Sequence, residues 1–218
     1  MSRRKGGSAS SNRWVARQAR DPYARRAREG KVRSRAYFKL EQLDRRDRLF
    51  RPGQRVVDLG AAPGGWSQYL AARLDGGPVV ATDVLEMAPL PGVTFVHGDF
   101  LDDAAVERVI AALGGVLADA VVSDMAPNLS GVRERDEAGM TELAGAALAL
   151  AARVLRPGGL LLLKTFEGAG RNETAARLRE CFREVAVRKP DASRSASAEC
   201  YLVAKGYNPR HGVPRDGA

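Results

Sequence analysis

The sequence is poor in the side chains that announce a chemistry by themselves. Its 218 residues include two cysteines and two histidines. Cys181 and Cys200 have neither the spacing of a zinc site nor that of a redox pair, and are expected as reduced, partly buried thiols. His97 falls in a strand-like run and His211 in a polar stretch near the C-terminus, so a Ser-His-Asp hydrolase is not expected. No His/Cys/carboxylate grouping has metal-ligand spacing, and no metal is expected. No apolar run approaches the roughly 20 residues that a membrane span needs. The longest such stretch, Leu143–Leu155, is rich in alanine and interrupted. The start of the chain lacks the hydrophobic core of a signal peptide, so a cytoplasmic location is expected, with no membrane partner. There are no internal repeats.

What is present is ordinary in amount and uneven in placement. Hydrophobic residues make up 44% and charged residues 28%, as in a soluble globular protein, and the length suits one doubly wound domain with a short appendage. Residues 1–51 hold 17 Lys/Arg against 5 Asp/Glu, a net of +12, whereas the remaining residues hold 18 against 21, a net of −3. A basic N-terminal segment rich in arginine is what a polyanion-binding arm looks like. Three parts are expected: a basic, partly disordered arm over residues 1–30, a domain over 31–207, and a polar tail over 208–218.

Within that domain the pattern alternates. A basic helical segment containing Trp14 and Tyr23 precedes a helix over Arg35–Arg48, where Tyr37, Phe38, Leu40 and Leu43 recur at helical spacing. Strands are expected at Arg55–Leu59, Val79–Asp83, Val93–His97, Ala120–Ser123 and Leu160–Thr165. Helices are expected between them at Gly65–Leu74, Ala104–Leu113 and Met140–Leu155, the last closed by Arg156-Pro157-Gly158-Gly159. Such alternation predicts parallel strands with crossover helices on both faces of an open sheet. A helix over Asn172–Cys181, a strand over Glu184–Val187, a loop over Lys189–Ala198 and a strand over Glu199–Ala204 finish the domain. The last two strands are joined without a helix and should therefore pair antiparallel.

The most informative stretch is Val56-Val57-Asp58-Leu59-Gly60-Ala61-Ala62-Pro63-Gly64-Gly65-Trp66-Ser67, a buried strand ending at an acid and followed by a glycine turn into a helix. A Walker A loop needs Gly-Lys-Ser/Thr here, and no lysine is present. A dinucleotide loop wants G-x-G-x-x-G, whereas this one has G-x-x-x-G-G with Pro63 where free backbone N–H groups are preferred. S-adenosylmethionine has no phosphate and carries a sulfonium, a ribose and an amino-acid end. Asp58 can organise the loop around the methionine part, Asp83 can accept from ribose hydroxyls, and Asp99 is placed to meet the adenine amino group. Carboxylates ending successive strands suit a cationic ligand and repel a pyrophosphate. The plain alternative for any one of them is a helix cap.

Four segments, Arg33-Ser34-Arg35-Ala36-Tyr37-Phe38-Lys39-Leu40, Asp58 to Gln68, Ser123-Asp124-Met125-Ala126-Pro127-Asn128 and Arg188-Lys189-Pro190-Asp191-Ala192-Ser193-Arg194, together resemble the FtsJ/RrmJ family over about residues 30–207. The resemblance implies a single Rossmann-like class I S-adenosylmethionine methyltransferase domain, with a mostly parallel seven-stranded sheet and an antiparallel last strand. It implies methylation of the ribose 2′-hydroxyl of a uridine in the large-subunit rRNA A-loop, with that rRNA or the 50S subunit as partner and no obligate protein partner. The family's catalytic Lys-Asp-Lys-Glu tetrad falls by motif on Lys39, Asp124, Lys164 and Glu199. The same resemblance assigns Gly64, Trp66, Asp83, Asp99 and Asp124 to the cofactor, alongside Asp58 and Gly60 of the glycine turn.

Strand order supports the tetrad on its own terms. Asp124 and Lys164 end parallel strands, and Glu199 begins an antiparallel one, so all three should share one sheet edge; Lys39 must fold over from the helix before the first strand. The resemblance makes Lys164 the base for the hydroxyl proton. A free lysine titrates near about 10.4, so a lysine base depends on nearby cations outweighing nearby carboxylates. The segment before Arg35 and the Arg188–Arg194 loop are expected to grip phosphates. Two rival readings remain: a tRNA or other RNA 2′-O-methyltransferase with the same tetrad, and a non-catalytic RNA-binding assembly factor.

Overall fold

Val56–Leu59 has all four side chains buried, which is the signature of a strand covered on both faces, not of one half-open to water. It is β1, the first strand of a seven-stranded sheet in the structure, a computed structural model that describes residues 22–30, 32–194 and 197–209. β2 (Val79–Asp83), β3 (Val93–His97), β4 (Ala118–Ser123), β5 (Leu155–Phe166), β6 (Phe182–Arg188) and β7 (Glu199–Tyr207) follow, in the spatial order β3-β2-β1-β4-β5-β7-β6. β1 to β5 are mutually parallel. β7 enters between β5 and β6 and runs antiparallel to both, as expected from the helix-free link between the last two strands.

Successive strand residues feed opposite faces. Val57, Val121, Leu161 and Leu163 pack with α4 (Asp103–Ala112), α5 (Arg133–Val154) and α6 (Ala169–Cys181). Val56, Val122, Leu160 and Leu162 pack with α2 (Ala36–Asp47) and α3 (Gly65–Arg73). In α2 the expected apolar positions Phe38, Leu40 and Leu43 are buried. Its carboxyl end is fixed by Asp44, which is 4% exposed. One oxygen of Asp44 accepts from the amides of Leu49 and Phe50 and the other from the Tyr69 hydroxyl and Arg73 Nε. A carboxylate held by four donors is a stable interior charge, and here it locks α2 to α3.

Several boundaries differ from the sequence expectations, the starts of α5 and β5 most of all. α5 starts at Arg133, not Met140; the charged run Arg133–Glu137 looks like loop, but Asp136 accepts from the amides of Ser130 and Gly131, and acids in a first turn suit the helix dipole. β5 starts at Leu155, ahead of the Pro-Gly-Gly turn, because Leu155 pairs with Ala118 across an irregularity in the ladder. In the basic segment, α1 (Pro22–Glu29) packs on α2. Ala27 is buried, the Tyr23 and Phe38 rings lie 5.8 Å apart, and the Arg26 guanidinium stacks 4.6 Å from the Phe38 ring centre. Residues 1–21, with Trp14, and residues 210–218, with His211, lie outside the described residues. Among the described residues no helix is long and apolar enough to cross a membrane.

Candidate active site

The carboxyl ends of β1 to β4 form one crevice, and the glycine turn after β1 is its floor. Asp58 is 1% exposed and accepts from the Ser67 hydroxyl at 2.6 Å. Burial, with the Asp124 and Asp83 carboxylates adding to it, pushes the Asp58 carboxyl up to about 7 against the opposing Ser67 hydrogen bond. Asp58 therefore secures the first turn of α3 from below and does not itself reach the open crevice. Gly60 has φ +70°, and a Cβ there would stand 2.0 Å from Met125 Cγ, so only glycine lets the loop after β4 close over the turn. Gly64 caps α3 with φ +100°.

Each of the other expected cofactor residues has a defined place. Asp83 accepts from the amides of Ala62 and Leu85, one on each oxygen, both at 2.8 Å, and keeps a lone pair on each. Asp99 is exposed and accepts from the Leu101 amide at 3.0 Å. The indole of Trp66 is buried; its Nε1 donates to the Ala36 carbonyl at 2.9 Å, and its ring lies 5.8 Å from that of Tyr201. Trp66 thus supports the crevice through packing beneath α2, not by exposing its ring. Beside Asp83 and Asp99, Val84, Leu85 and Leu101 are each more than half exposed, an apolar rim next to two carboxylates that the sequence reading passed over. His97 belongs to the same rim, with its Nε2 against the Val84 carbonyl at 2.9 Å.

The four residues of the expected tetrad meet in one cluster. Lys39, on α2 and 8% exposed, lies 2.9 Å from the Glu199 carboxylate and 3.4 Å from Asp124 Oδ2. Lys164 Nζ lies 3.0 Å from Asp124 Oδ1 and 3.7 Å from Glu199 Oε2, and it also donates to the Asp124 backbone carbonyl. The antiparallel register of β5 and β7 accounts for this: Lys164 faces Tyr201 and Phe166 faces Glu199. Directly opposed residues share a face, and here it is the face toward α2. Burial alone would raise the Glu199 carboxyl; the Lys39 and Lys164 ammoniums outweigh it, with hydrogen bonds from Ser193 and Lys39, and hold it at about 2.

Two members of the cluster were not assigned to it from the sequence, although Ser193 lies in the Arg188–Arg194 motif. Tyr201, fully buried, donates its hydroxyl to Asp124 Oδ1 at 2.6 Å. Burial first, then the Asp124 and Glu199 charges, raise that phenol well above its ordinary value, so it remains a donor. Ser193 donates to Glu199 Oε1 at 2.7 Å. A tyrosine in a strand looks like core, and its polar end becomes visible only when the register is known.

Several cations expected to grip phosphates are instead engaged within the protein. Arg188 forms a two-pronged pair with Asp47 at 2.7 Å on each prong, and Lys189 pairs with Glu167 at 3.2 Å. Arg33 donates to the carbonyls of Pro63, Ala88 and Pro89, bracing the glycine turn against the loop after β2. Arg35 donates to the Ala192 carbonyl. Arg194, with Arg35, Lys39, Ser197 and Glu199, lines a cleft of about 230 Å³ beside the cluster. Both cysteines are buried free thiols, and among the described residues no three His, Cys, Asp or Glu side chains gather as a metal site.

Residues 32–207 match the sequence model of the FtsJ-like methyltransferases. The ribosomal RNA large subunit methyltransferase E of Marinobacter nauticus is 48% identical over 202 residues, covering 92% of this chain and 97% of that protein. Its counterpart in Pseudomonas aeruginosa is 48% identical over 201 residues with the same coverage. A crystal structure of a ribosomal RNA methyltransferase from Plasmodium falciparum superposes with a TM-score of 0.73 at 26% identity, over 81% of this chain and 98% of that one.

Proposed function

The chain belongs to the FtsJ-like methyltransferase family, and on that footing we propose that it transfers a methyl group from S-adenosylmethionine to a ribose 2′-hydroxyl of large-subunit rRNA, at a uridine of the A-loop during late 50S assembly. The observation that carries this reading is the joining of Lys39, Lys164, Asp124 and Glu199 around one sheet edge, next to the glycine turn. The names of the bacterial relatives support rRNA as the substrate, and work on ribosomal subunits fits a cytoplasmic protein.

The residues present fit the methyl donor. Asp83 and Asp99 offer carboxylate lone pairs to hydroxyl and amino groups, and Val84, Leu85 and Leu101 offer apolar contact. When bound, the sulfonium would supply an electrophilic methyl group, its methyl–sulfur bond breaking so that the sulfur leaves as a neutral thioether. The chain supplies a place for the hydroxyl and for its proton. A Lys164 amine that keeps two N–H bonds, to the Asp124 carboxylate and to its backbone carbonyl, directs its lone pair in the remaining tetrahedral direction. That lone pair takes the proton from the 2′-oxygen as the oxygen bonds to carbon. Lys39, between Asp124 and Glu199, supplies a fixed positive charge near the oxygen as it becomes negative. Asp124 and Glu199 set the positions of both lysines, and alignment of hydroxyl and methyl carries much of the remaining acceleration.

The test is transfer of labelled methyl to unmodified large subunits, with small subunits and tRNA in parallel, followed by nuclease mapping of the labelled nucleotide. Label confined to a 2′-O-methyl uridine of large-subunit rRNA, lost in Lys164→Ala, is the expected result. Full activity of Lys164→Ala at neutral pH refutes the assignment of the base. Label in tRNA alone discards the ribosomal substrate, and label in no RNA favours an assembly factor.

A further inference from the structure

Two clefts flank the lysine–acid cluster, and they differ in character. The first, about 230 Å³, is lined by Arg35, Lys39 and Arg194 with Ser197 and Glu199, three cations to one acid, and suits a phosphate. The second, about 560 Å³, lies toward the start of α5 and is lined by Leu129, Gly131, Phe166 and Ala198, with the acids Asp136, Glu137 and Glu167. Its one cation, Arg133, is paired with Glu137 at 2.7 Å. Glu137 is taken up by Arg133 and Glu167 by Lys189, which leaves the charge of Asp136 and no unpaired cation among the lining residues to hold a phosphodiester, whereas an aromatic ring and an exposed leucine attract a flat apolar surface. The two clefts share Ser197, so an RNA strand crossing the cluster meets both.

The register gives the second cleft its relation to the chemistry. Phe166 is two residues beyond Lys164 on β5, on the same face, and directly opposite Glu199. The ring is half-buried, with part of it open to the cleft. A nucleotide whose 2′-hydroxyl sits at Lys164 has its base a few ångströms away, attached to the neighbouring ribose carbon. We propose that the base of the target nucleotide seats in this second cleft and stacks on Phe166, while its flanking phosphate occupies the first; the inference rests on the ribose-methylation reading above. Phe166 then supplies, from the end of β5, the stacking surface that the loop after β4, Asp124-Met125-Ala126-Pro127, lacks. Stacking is indifferent to hydrogen-bond pattern, so Phe166 holds a base without choosing among bases.

The experiment is steady-state methyl transfer to unmodified 50S subunits by wild type, Phe166→Ala, Phe166→Leu and Phe166→Tyr, with methyl-donor affinity measured separately by calorimetry. A stack present before and during reaction acts on KM. Alanine and leucine should each raise KM for the subunit about tenfold with kcat and donor affinity unchanged, and tyrosine should restore KM to within about twofold of wild type. Leucine rescuing as well as tyrosine makes Phe166 an apolar filler and overturns the proposal, as does an unchanged KM in both the alanine and leucine variants. If alanine fails to fold, the leucine–tyrosine comparison still decides. A wild-type protein that methylates no ribose defeats the parent reading and this inference with it, a result distinct from any failure of the variants.

Discussion

Lys164 and Tyr201 stand directly opposite each other on β5 and β7 and converge on a single atom, Oδ1 of Asp124, at 3.0 Å and 2.6 Å. The phenol, raised well above its ordinary value, is a neutral donor that holds the carboxylate in place beside Lys164. Tyr201→Phe removes this hold without changing the packing. We expect kcat for methyl transfer to fall roughly tenfold and stability to fall by about 1–2 kcal/mol, measured by single-turnover kinetics and urea unfolding. A stability loss with kcat intact would make Tyr201 a core residue only.

Arg33 belongs to a motif expected to contact RNA, yet its guanidinium reaches the carbonyls of Pro63, Ala88 and Pro89. Arg33→Ala frees the glycine turn from the loop after β2. The expected outcome is a methyl-donor Kd about tenfold weaker, equivalent to about 1.4 kcal/mol, with KM for ribosomal subunits little changed. Calorimetry of donor binding checks the first part and subunit titration the second; the opposite pattern would return Arg33 to the RNA interface.

Two carboxyls give opposite signs to stability against pH. Glu199 is held at about 2 in the fold against 4.5 for an ordinary glutamate, so folding favours its charged form. Its contribution is present above pH 4.5 and is lost as pH falls toward 2. Asp58 is raised to about 7 from 3.8, so folding favours its protonated form. Its contribution is present below pH 3.8 and is lost as pH rises to about 7. Glu199→Gln should flatten the acid limb of the unfolding free energy. Asp58→Asn should flatten the decline between about pH 4 and 7, gaining on wild type as pH rises. Chemical denaturation at a series of pH values reads both; parallel wild-type and Asp58→Asn curves across that window would contradict the burial argument.

Sequence reading reached the site unevenly, for reasons that lie in the geometry. Asp58, Asp83, Asp99 and Asp124 were legible because each ends a strand or follows one directly, and strand ends of a parallel sheet share an edge. Lys39 and Glu199 were found through motif resemblance, since nothing local says that α2 drops a lysine onto that edge or that β7 begins opposite Phe166. Tyr201 and Phe166 were missed because an aromatic in a strand carries the same signal whether it fills the core or presents a polar or stacking surface. The start of α5 was missed because its stabilising acids make the segment look solvated. Trp66 was named for a ligand, and its indole is engaged with Ala36 and Tyr201.

The insertion of β7 between β5 and β6 also makes the cluster depend on the last strand of the sequence. The carboxyl edge of β1 to β4 is formed by residues up to Ser123, whereas Glu199 and Tyr201 belong to β7. Without β7, β5 keeps one unpaired side and β6 has no neighbour, so Asp124 and the two lysines lose the Tyr201 hydroxyl and the Glu199 carboxylate together. A lesion that keeps β7 out of the sheet thus dismantles the lysine–acid cluster at a stroke, while the edge formed by β1 to β4 keeps its own ladder.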